Sequence, residues 1–296
     1  MVPETATGRA GPERVELGAT GLRVHPLIPA TWSFAGRRGP LGAQLPPEEI
    51  ERAFHEYGLN GFFTTPKMRA QAEGVRQLIA AGHRSEMVLI SVAGLPFAGR
   101  IRAYVRRCCR SFGTDRLDIL LMGWVQHRFY LRPAVWEAMQ QLKARGLVGA
   151  LGFSIHNRLL AARLASELEP RPDILMIRYN AAHRGAETEI FDVLGSERPG
   201  VIAYTATRWG ELLEPRPAEG YEQGMRAPEC YRFVLGHRSV DAVLCAARSA
   251  AELREDIEGI RAGPLTPERY AEILEFGDAV HRKPRHGGSR FMFRQG

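Results

Sequence analysis

Eight short apolar runs punctuate the chain at intervals of about 25 to 40 residues, and a segment with helical spacing follows each of them. They are LIPATW (27–32), GFFTT (61–65), MVLISV (87–92), LDILLM (117–122), VGALGFS (148–154), DILMIRY (173–179), GVIAYT (200–205) and VDAVLCA (240–246). Short runs rich in Val, Ile and Leu, with little polar alternation, suit strands buried on both faces, the condition of a parallel sheet. Parallel neighbours need a crossover connection, which the intervening helices supply. The pattern predicts an α/β fold, a parallel sheet closed into a (β/α)8 TIM barrel. The competing open, doubly wound sheet would carry a GxGxxG phosphate loop directly after an early strand, and the chain has none.

The helical segments carry their own punctuation. PPEEIERAFHEYG opens with proline and acids and closes with glycine, which suits free amides at one end and a left-handed cap at the other. RPAVWEAMQQLKARG adds basic residues in its last turn, complementing the helix dipole. AAELREDIEGIRAG and TPERYAEILEFGDAV each present one apolar stripe, and the second predicts an extra C-terminal helix. The expected organisation is a flexible N-terminal tail over 1–15, a barrel over 16–282 and a basic C-terminal tail over 283–296.

Composition excludes several classes. No run approaches the roughly 18 apolar residues of a membrane span, and MVPETATGRAGPERV lacks the apolar centre of a secretory leader, so a cytoplasmic location is expected, without a membrane partner. Cys108, Cys109, Cys230 and Cys245 form no CxxC pair and have no histidines at zinc spacing, so they read as reduced thiols and no metal site is expected. The formal net charge of +7 is concentrated in HRKPRHGGSRFMFRQG (281–296), where Arg282, Lys283, Arg285, Arg290 and Arg294 have no acidic neighbour. With Phe291 and Phe293 interleaved, this terminus is either a solvated extension or a segment that folds over a site and holds an anion. Nothing else in the chain looks like a nucleic-acid module, and no nucleic-acid partner is expected.

Several stretches resemble the aldo-keto reductases in that family's order. ELGATGLRVHPLIPATWSFAG resembles their opening hairpin and first strand, GLNGFF their second strand, and FGTDRLDILLMGW their fourth. VWEAMQQLKARGLVGALGFS runs into the fifth, and IRYNAAHRGAETEIF, GVIAYTATRWGEL and AARSAAELREDIEGI follow. The resemblance covers roughly residues 16 to 262 and rests on collinearity rather than on any one motif. It implies a barrel with an N-terminal hairpin that binds NADP(H) in extended form and reduces carbonyls through an Asp, a Tyr, a Lys and a His. The Tyr would protonate the carbonyl oxygen while charged neighbours tune its pKa.

The sequence departs from that pattern at all four places. The acid position falls on Phe63 or Thr64, the tyrosine on Met68 or Arg69, the lysine on Val92 and the histidine on Gly123. Lys67 and His127 lie nearby, without a phenol beside a lysine. In the part that the resemblance assigns to the nicotinamide carboxamide, Ser154 is kept, but Ile155 stands at the Asn and Met176 at the Gln, with Tyr204 as the ring-stacking residue. A site built for hydrogen bonds loses discrimination steeply when they are removed. The adenine and 2′-phosphate end is better matched by Arg248, Ser249, Glu252, Glu255 and Asp256. NADP(H) is therefore the implied cofactor, with its nicotinamide end poorly provided for.

The strand ends offer a second polar set: Trp124, Gln126, His127 and Arg128 after the fourth strand, His156 and Asn157 after the fifth, and Arg178 and Asn180 on the sixth, joined by Thr64, Thr65 and Ser91. We expect His127, His156, Arg178 and Tyr204 to be the catalytic candidates, and Trp124, Gln126, Arg128 and Asn180 to bind the ligand. Arg178 is the most informative, because a guanidinium at a barrel mouth needs an anionic partner or water. Its alternative role is an ion pair with Glu187 or Glu211; His183 and Arg184 read as structural. Strand ends without paired carboxylates argue against glycosidase chemistry. Three functions remain open: an enzyme of altered, redox-neutral chemistry on a polar or anionic small molecule, a non-catalytic nucleotide-binding pseudoenzyme or sensor, and a divergent NADPH-dependent carbonyl oxidoreductase.

Overall fold

A computed structural model of the chain describes residues 14–30, 45–195 and 198–283. The expectations for residues 1–13, for Thr31 and Trp32 of the first apolar run, and for Arg285, Arg290, Phe291, Phe293 and Arg294 lie outside the described residues.

The described chain begins with an antiparallel hairpin, β1 (Val15–Glu16) and β2 (Arg23–Val24), in which Val15 faces Val24. Val15 thus belongs to the hairpin and not to the expected tail. Eight parallel strands follow, one in each apolar run: β3 (Leu27–Pro29), β4 (Gly61–Phe63), β5 (Val88–Ala93), β6 (Leu117–Val125), β7 (Val148–Ile155), β8 (Ile174–Arg178), β9 (Gly200–Tyr204) and β10 (Ala242–Cys245). Their order, β3-β10-β9-β8-β7-β6-β5-β4, returns to its start, since a methyl group at Gly61 on β4 would lie 3.3 Å from Ile28 Cγ1 on β3. The expected TIM barrel with an N-terminal hairpin is the architecture observed.

Around it run α1 (Pro47–Tyr57), α2 (Arg69–Ala80), α3 (Ala98–Phe112), α4 (Pro133–Ala144), α5 (Arg158–Glu167), the single turn α6 (Ala186–Glu189), α7 (Ala227–Leu235), α8 (Ala250–Arg261) and the extra α9 (Pro267–Arg282). Proline in the first turn of α1, α4 and α9 occupies a position whose N–H would have no helical partner. Gly58 ends α1 at φ 72°, where its N–H reaches the Phe54 carbonyl 3.2 Å away. Asn157, Ser249 and Thr266 cap α5, α8 and α9 through their side chains.

Alternation along the strands divides the core into two layers. Leu27, Phe62, Leu89, Leu120, Leu175 and Val243 pack outward with the helices, whereas Ile28, Phe63, Ile90, Ile119, Met176 and Ile202 fill the barrel. Leu17 and Val24 of the hairpin join the inner layer, and Gly18 bridges to Pro199 just before β9, so the hairpin stops the amino end. The carboxyl end is left to the loops, which is where barrel chemistry is housed.

Candidate functional site at the barrel mouth

The four positions to which the family resemblance assigns the tetrad come together. Phe63, Met68 and Val92 are all buried in the inner apolar layer, and a Cβ built on Gly123 would fall 2.4 Å from Val92 Cγ2. Thr64 and Arg69 are excluded from this wall, because Thr64 has the opposite strand parity to Phe63 and Arg69 is exposed at the start of α2. The wall is therefore made of a phenyl, a thioether and an isopropyl group, with no titratable group among them.

The end of β6 is distorted. Its register with β7 shifts between Met122 and Val125, and Trp124 adopts φ 52°, a left-handed conformation that is costly for an aromatic residue. The turn carries the indole toward β5, where a methyl group on Gly94 would meet the indole Cζ3 at 2.9 Å. Trp124 thus borders the apolar wall. Gln126, His127 and Arg128 continue into exposed chain: His127 packs by Phe129 and Tyr130, and Arg128 pairs with Glu167 at 2.7 Å, so neither is gathered with Arg178. This departs from the sequence-based expectation, and the bulge is the reason, since it resets the direction of the chain after Gly123.

The polar side of the mouth lies across β7, β8 and β9. Arg178 is 3% exposed and has the parity of Ile174 and Met176, which face into the barrel. Burial pulls its guanidinium below its ordinary pKa, and Arg158 and Arg208 add to the fall while Tyr204 opposes it. His156 is held down to about 3, first by burial and then by Arg178. Tyr204 packs edge-on to His156 at 5.1 Å and donates its hydroxyl proton to the Ile155 carbonyl at 2.9 Å. Burial raises the Tyr204 phenol above its ordinary range, with Arg178 and a hydrogen bond to Ser154 opposing the rise. A phenol so placed is a weak acid whose proton is already committed.

Other expected members serve the scaffold. Asn180 donates to the Thr205 carbonyl at 2.8 Å and accepts from Ala182 N at 3.0 Å, tying the ends of β8 and β9 together instead of facing a ligand. Ser91 points outward, donating to the Thr64 carbonyl at 2.7 Å and meeting Tyr104 OH at 2.7 Å; Thr65 accepts from Lys67 N. Strand parity turns Ser91 and Thr64 away from the mouth. Of the two acids weighed as partners for Arg178, Glu187 accepts from Tyr179 OH at 2.7 Å, while Glu211 stands 3.3 Å from Arg216 and 3.7 Å from Arg208. Three neighbours went unrecognised in the sequence as parts of the site: Arg158 at the start of α5, Arg208, and His183 in the turn after β8. Only Arg158 had a sequence signal, its position next to the Asn157 cap.

The residues expected at the adenine end divide. Ser249 accepts from Glu252 N at 3.2 Å, and Arg248 pairs with Glu252 at 2.8 Å at the exposed amino end of α8. Glu255 pairs with Arg226 at 2.7 Å, and Asp256 is buried, accepting from the Cys245 thiol at 3.1 Å. Helix periodicity separates them: Arg248, Ser249 and Glu252 form one surface, and Asp256 faces the core. At the nicotinamide end Met176 lies in the inner layer and Ile155 in the outer, so neither offers a donor or acceptor to a carboxamide, and Ser154 is engaged with Tyr204. The nicotinamide does not fit these side chains, and at the amino end of α8 the Arg248 N–H and guanidinium and the Glu252 N–H are engaged by Glu252 and Ser249.

An eight-stranded parallel barrel with its polar groups gathered at the carboxyl strand ends defines the site as that of a TIM-barrel protein. Residues 31–228, more than half of the chain, match the family model of the aldo/keto reductases, and the chain belongs to that family, whose members generally bind NADP(H). The structure is similar to that of the aldo-keto reductase AKR11C1 from Bacillus halodurans in its holo form, with a TM-score of 0.71 and 18% identity over 93% of this chain and 100% of the other. It is also similar to PA4992 of Pseudomonas aeruginosa, whose own assignment to the aldo-keto reductases is provisional, with a TM-score of 0.64 and 20% identity over 84% of this chain and 94% of the other. At these identities the likeness is one of fold. The curated protein sequences contain no match. Among the described residues, no helix is long and apolar enough to cross a membrane.

Proposed function

We propose that this aldo-keto reductase-family barrel has lost the carbonyl-reducing tetrad and acts on a polar or anionic small molecule by redox-neutral chemistry in the cytoplasm. The observation that carries the reading is the wall of Phe63, Met68 and Val92, closed by the contact of Gly123 with Val92, at the strand ends where the acid, phenol, amine and imidazole would stand. Opposite it, Arg178 gives the mouth a cationic side, with the neutral His156 ring beside it and Tyr204 of β9 reaching the Ile155 carbonyl of β7. His127 is set apart from these groups on an exposed turn.

A second reading, nucleotide binding without turnover, is favoured by Arg248, Ser249 and the amino end of α8, which supply charge and N–H groups for a phosphate. The divergent oxidoreductase reading has less support, because Tyr204, its phenolic acid, is tied to the Ile155 carbonyl. Purification of the full chain from its native cytosol, with identification of the small molecules that co-purify, tests the first reading: an anionic metabolite retained at stoichiometric level supports it, and NADPH retained with a carbonyl compound overturns it.

A further inference from the structure

Every exposed position on α3 is a glycine, an alanine or an arginine. Arg100, Arg106, Arg107 and Arg110 stand out from the helix and Arg102 is half-buried beside them, while Ile101, Val105, Cys108 and Phe112 face the core. The helical repeat puts the five guanidiniums on one stripe about 15 Å long. Residues 95–116 as a whole hold six arginines and one acid, Asp115. Among the described residues no carboxylate pairs with any of the five, whereas Arg76 and Arg84 close by are taken by Glu73 at 2.5 Å and Asp118 at 3.0 Å. The carboxylates outside the described residues, Glu4, Glu13, Glu197 and the terminal group of Gly296, are too few to take the five one apiece.

At the amino end of this stripe the loops after β5 and β6 expose three large apolar side chains, Leu95 (55%), Phe97 (50%) and Phe129 (47%). The Phe97 and Phe129 rings meet edge-on at 6.4 Å, and the Arg132 guanidinium lies 3.9 Å from the Phe129 centroid and 5.4 Å from that of Phe97. Arg132 also donates to the Phe129 carbonyl at 2.8 Å, so both rings are held at the surface. Leu159, Trp209 and Leu213, the other large apolar side chains exposed among the described residues, follow β7 and β9 at the same end of the barrel. Single exposed apolar residues need no explanation, but a cluster continuous with a face of one charge marks an interaction surface.

We infer that this edge of the barrel makes a peripheral contact with an anionic lipid surface, in which the α3 arginines meet headgroup phosphates and Leu95, Phe97 and Phe129 enter the interface. The charge selects a polyanionic partner, and the apolar cluster selects lipid among polyanions. Leu95 has no aromatic face and Arg132 covers that of Phe129, so the cluster is poorly made for stacking on bases. Each arginine near such a surface strengthens attachment by about fivefold, and the apolar side chains anchor what charge alone holds reversibly. The contact is distinct from a membrane span, for which no helix of the described residues is long and apolar enough. It revises the expectation of a chain without a membrane partner, which rested on the lack of a span, and it stands apart from the proposed chemistry. Attachment through the loops after β5 and β6 places the barrel mouth beside the lipid.

Co-sedimentation of the full chain with vesicles tests the inference, comparing phosphatidylglycerol mixed with phosphatidylcholine against phosphatidylcholine alone. The expected result is partition onto the anionic vesicles at least about tenfold stronger than onto the neutral ones, falling as salt is raised. Arg106→Gln with Arg107→Gln should weaken it by about tenfold or more, and Leu95→Ser with Phe97→Ser by severalfold. All four side chains are exposed, and thermal unfolding checks that the variants remain folded. Arg238→Gln with Arg261→Gln, which removes the same charge from exposed positions after α7 and in α8, should change partition by less than about twofold. Equal partition onto both vesicles, no partition onto the anionic vesicles at low salt, or equal losses in the α3 pair and the control pair overturns the inference. So does binding to duplex DNA or poly-glutamate without binding to vesicles, which would make the partner another polyanion.

Discussion

A Cβ placed on Gly123 would lie 2.4 Å from Val92 Cγ2, so the residue at the fourth strand end and the residue at the third exclude each other's larger alternatives. Placing a histidine at Gly123 therefore does not merely add a polarising group; it overpacks the wall. Gly123→His is expected to destabilise the chain by about 1–3 kcal/mol, and Val92→Ala in the same chain should recover much of the loss, because contacting residues are energetically coupled. Thermal unfolding of the two single variants and the double variant checks this. Equal melting temperatures for wild type and Gly123→His would show that the wall yields freely.

The buried pair of Cys245 and Asp256 sets a pH dependence of stability. Burial pushes the Asp256 carboxyl up to about 7, opposed by the Cys245 hydrogen bond, while Glu255 and Glu252 on its own helix add to the rise; Tyr231 of α7 packs against Cys245 from the other side. A raised carboxyl favours its protonated form in the folded chain. Its contribution is complete below the unfolded value of about 3.9 and is lost as pH rises through about 7. Melting temperature should fall between pH 5 and pH 8, by the equivalent of about 2–4 kcal/mol, and Asp256→Asn should remove that part of the slope. An unchanged slope in the variant would locate the titrating group elsewhere.

Arg248 at the amino end of α8 is exposed and paired with Glu252, so its removal should alter stability by less than about 0.5 kcal/mol. If the 2′-phosphate end of NADP(H) binds there, Arg248→Ala should reduce the preference for NADP(H) over NAD(H) by about 1.5–3 kcal/mol. Calorimetry with both nucleotides measures it, and equal binding of the two by the wild type would refute the assignment.

Tyr204→Phe removes the donor that satisfies the Ile155 carbonyl across β8. The expected cost is about 0.5–1.5 kcal/mol in thermal or urea unfolding, without change in any NADPH-dependent turnover. Loss of a measurable turnover in this variant would make the phenol a proton donor.

The barrel was legible because burial on both faces leaves an uninterrupted apolar run, and each of the eight runs contains one strand. Of the four wall positions, Val92 and Gly123 were read singly, but the other two only as pairs of alternatives, Phe63 or Thr64 and Met68 or Arg69, since a one-residue choice at a strand end reverses which side chain faces inward. The polar set was harder. Asn180 and Ser91 have the residue types of ligand contacts, but spend their hydrogen bonds on Thr205, Ala182, Thr64 and Tyr104, partners that are distant in sequence or hidden in turns. His127 and Arg128 follow a bulge at a tryptophan of positive φ, for which the string of residues gives no sign. Arg208 enters the site through a turn where it, too, takes positive φ, 51°. Lys283, grouped by sequence with a free basic tail, pairs with Glu219 at 3.3 Å and accepts from Arg216 through its carbonyl.

The proposed absence of carbonyl-reducing machinery is decided by the rate at which the purified full chain oxidises NADPH in the presence of a simple aromatic aldehyde at saturating concentration. With Phe63, Met68, Val92 and Gly123 at the strand ends, the predicted rate lies at least about 10²-fold below the 1 per second or more usual for enzymes. A turnover of about 1 per second or more, abolished by heat denaturation of the protein, would contradict it.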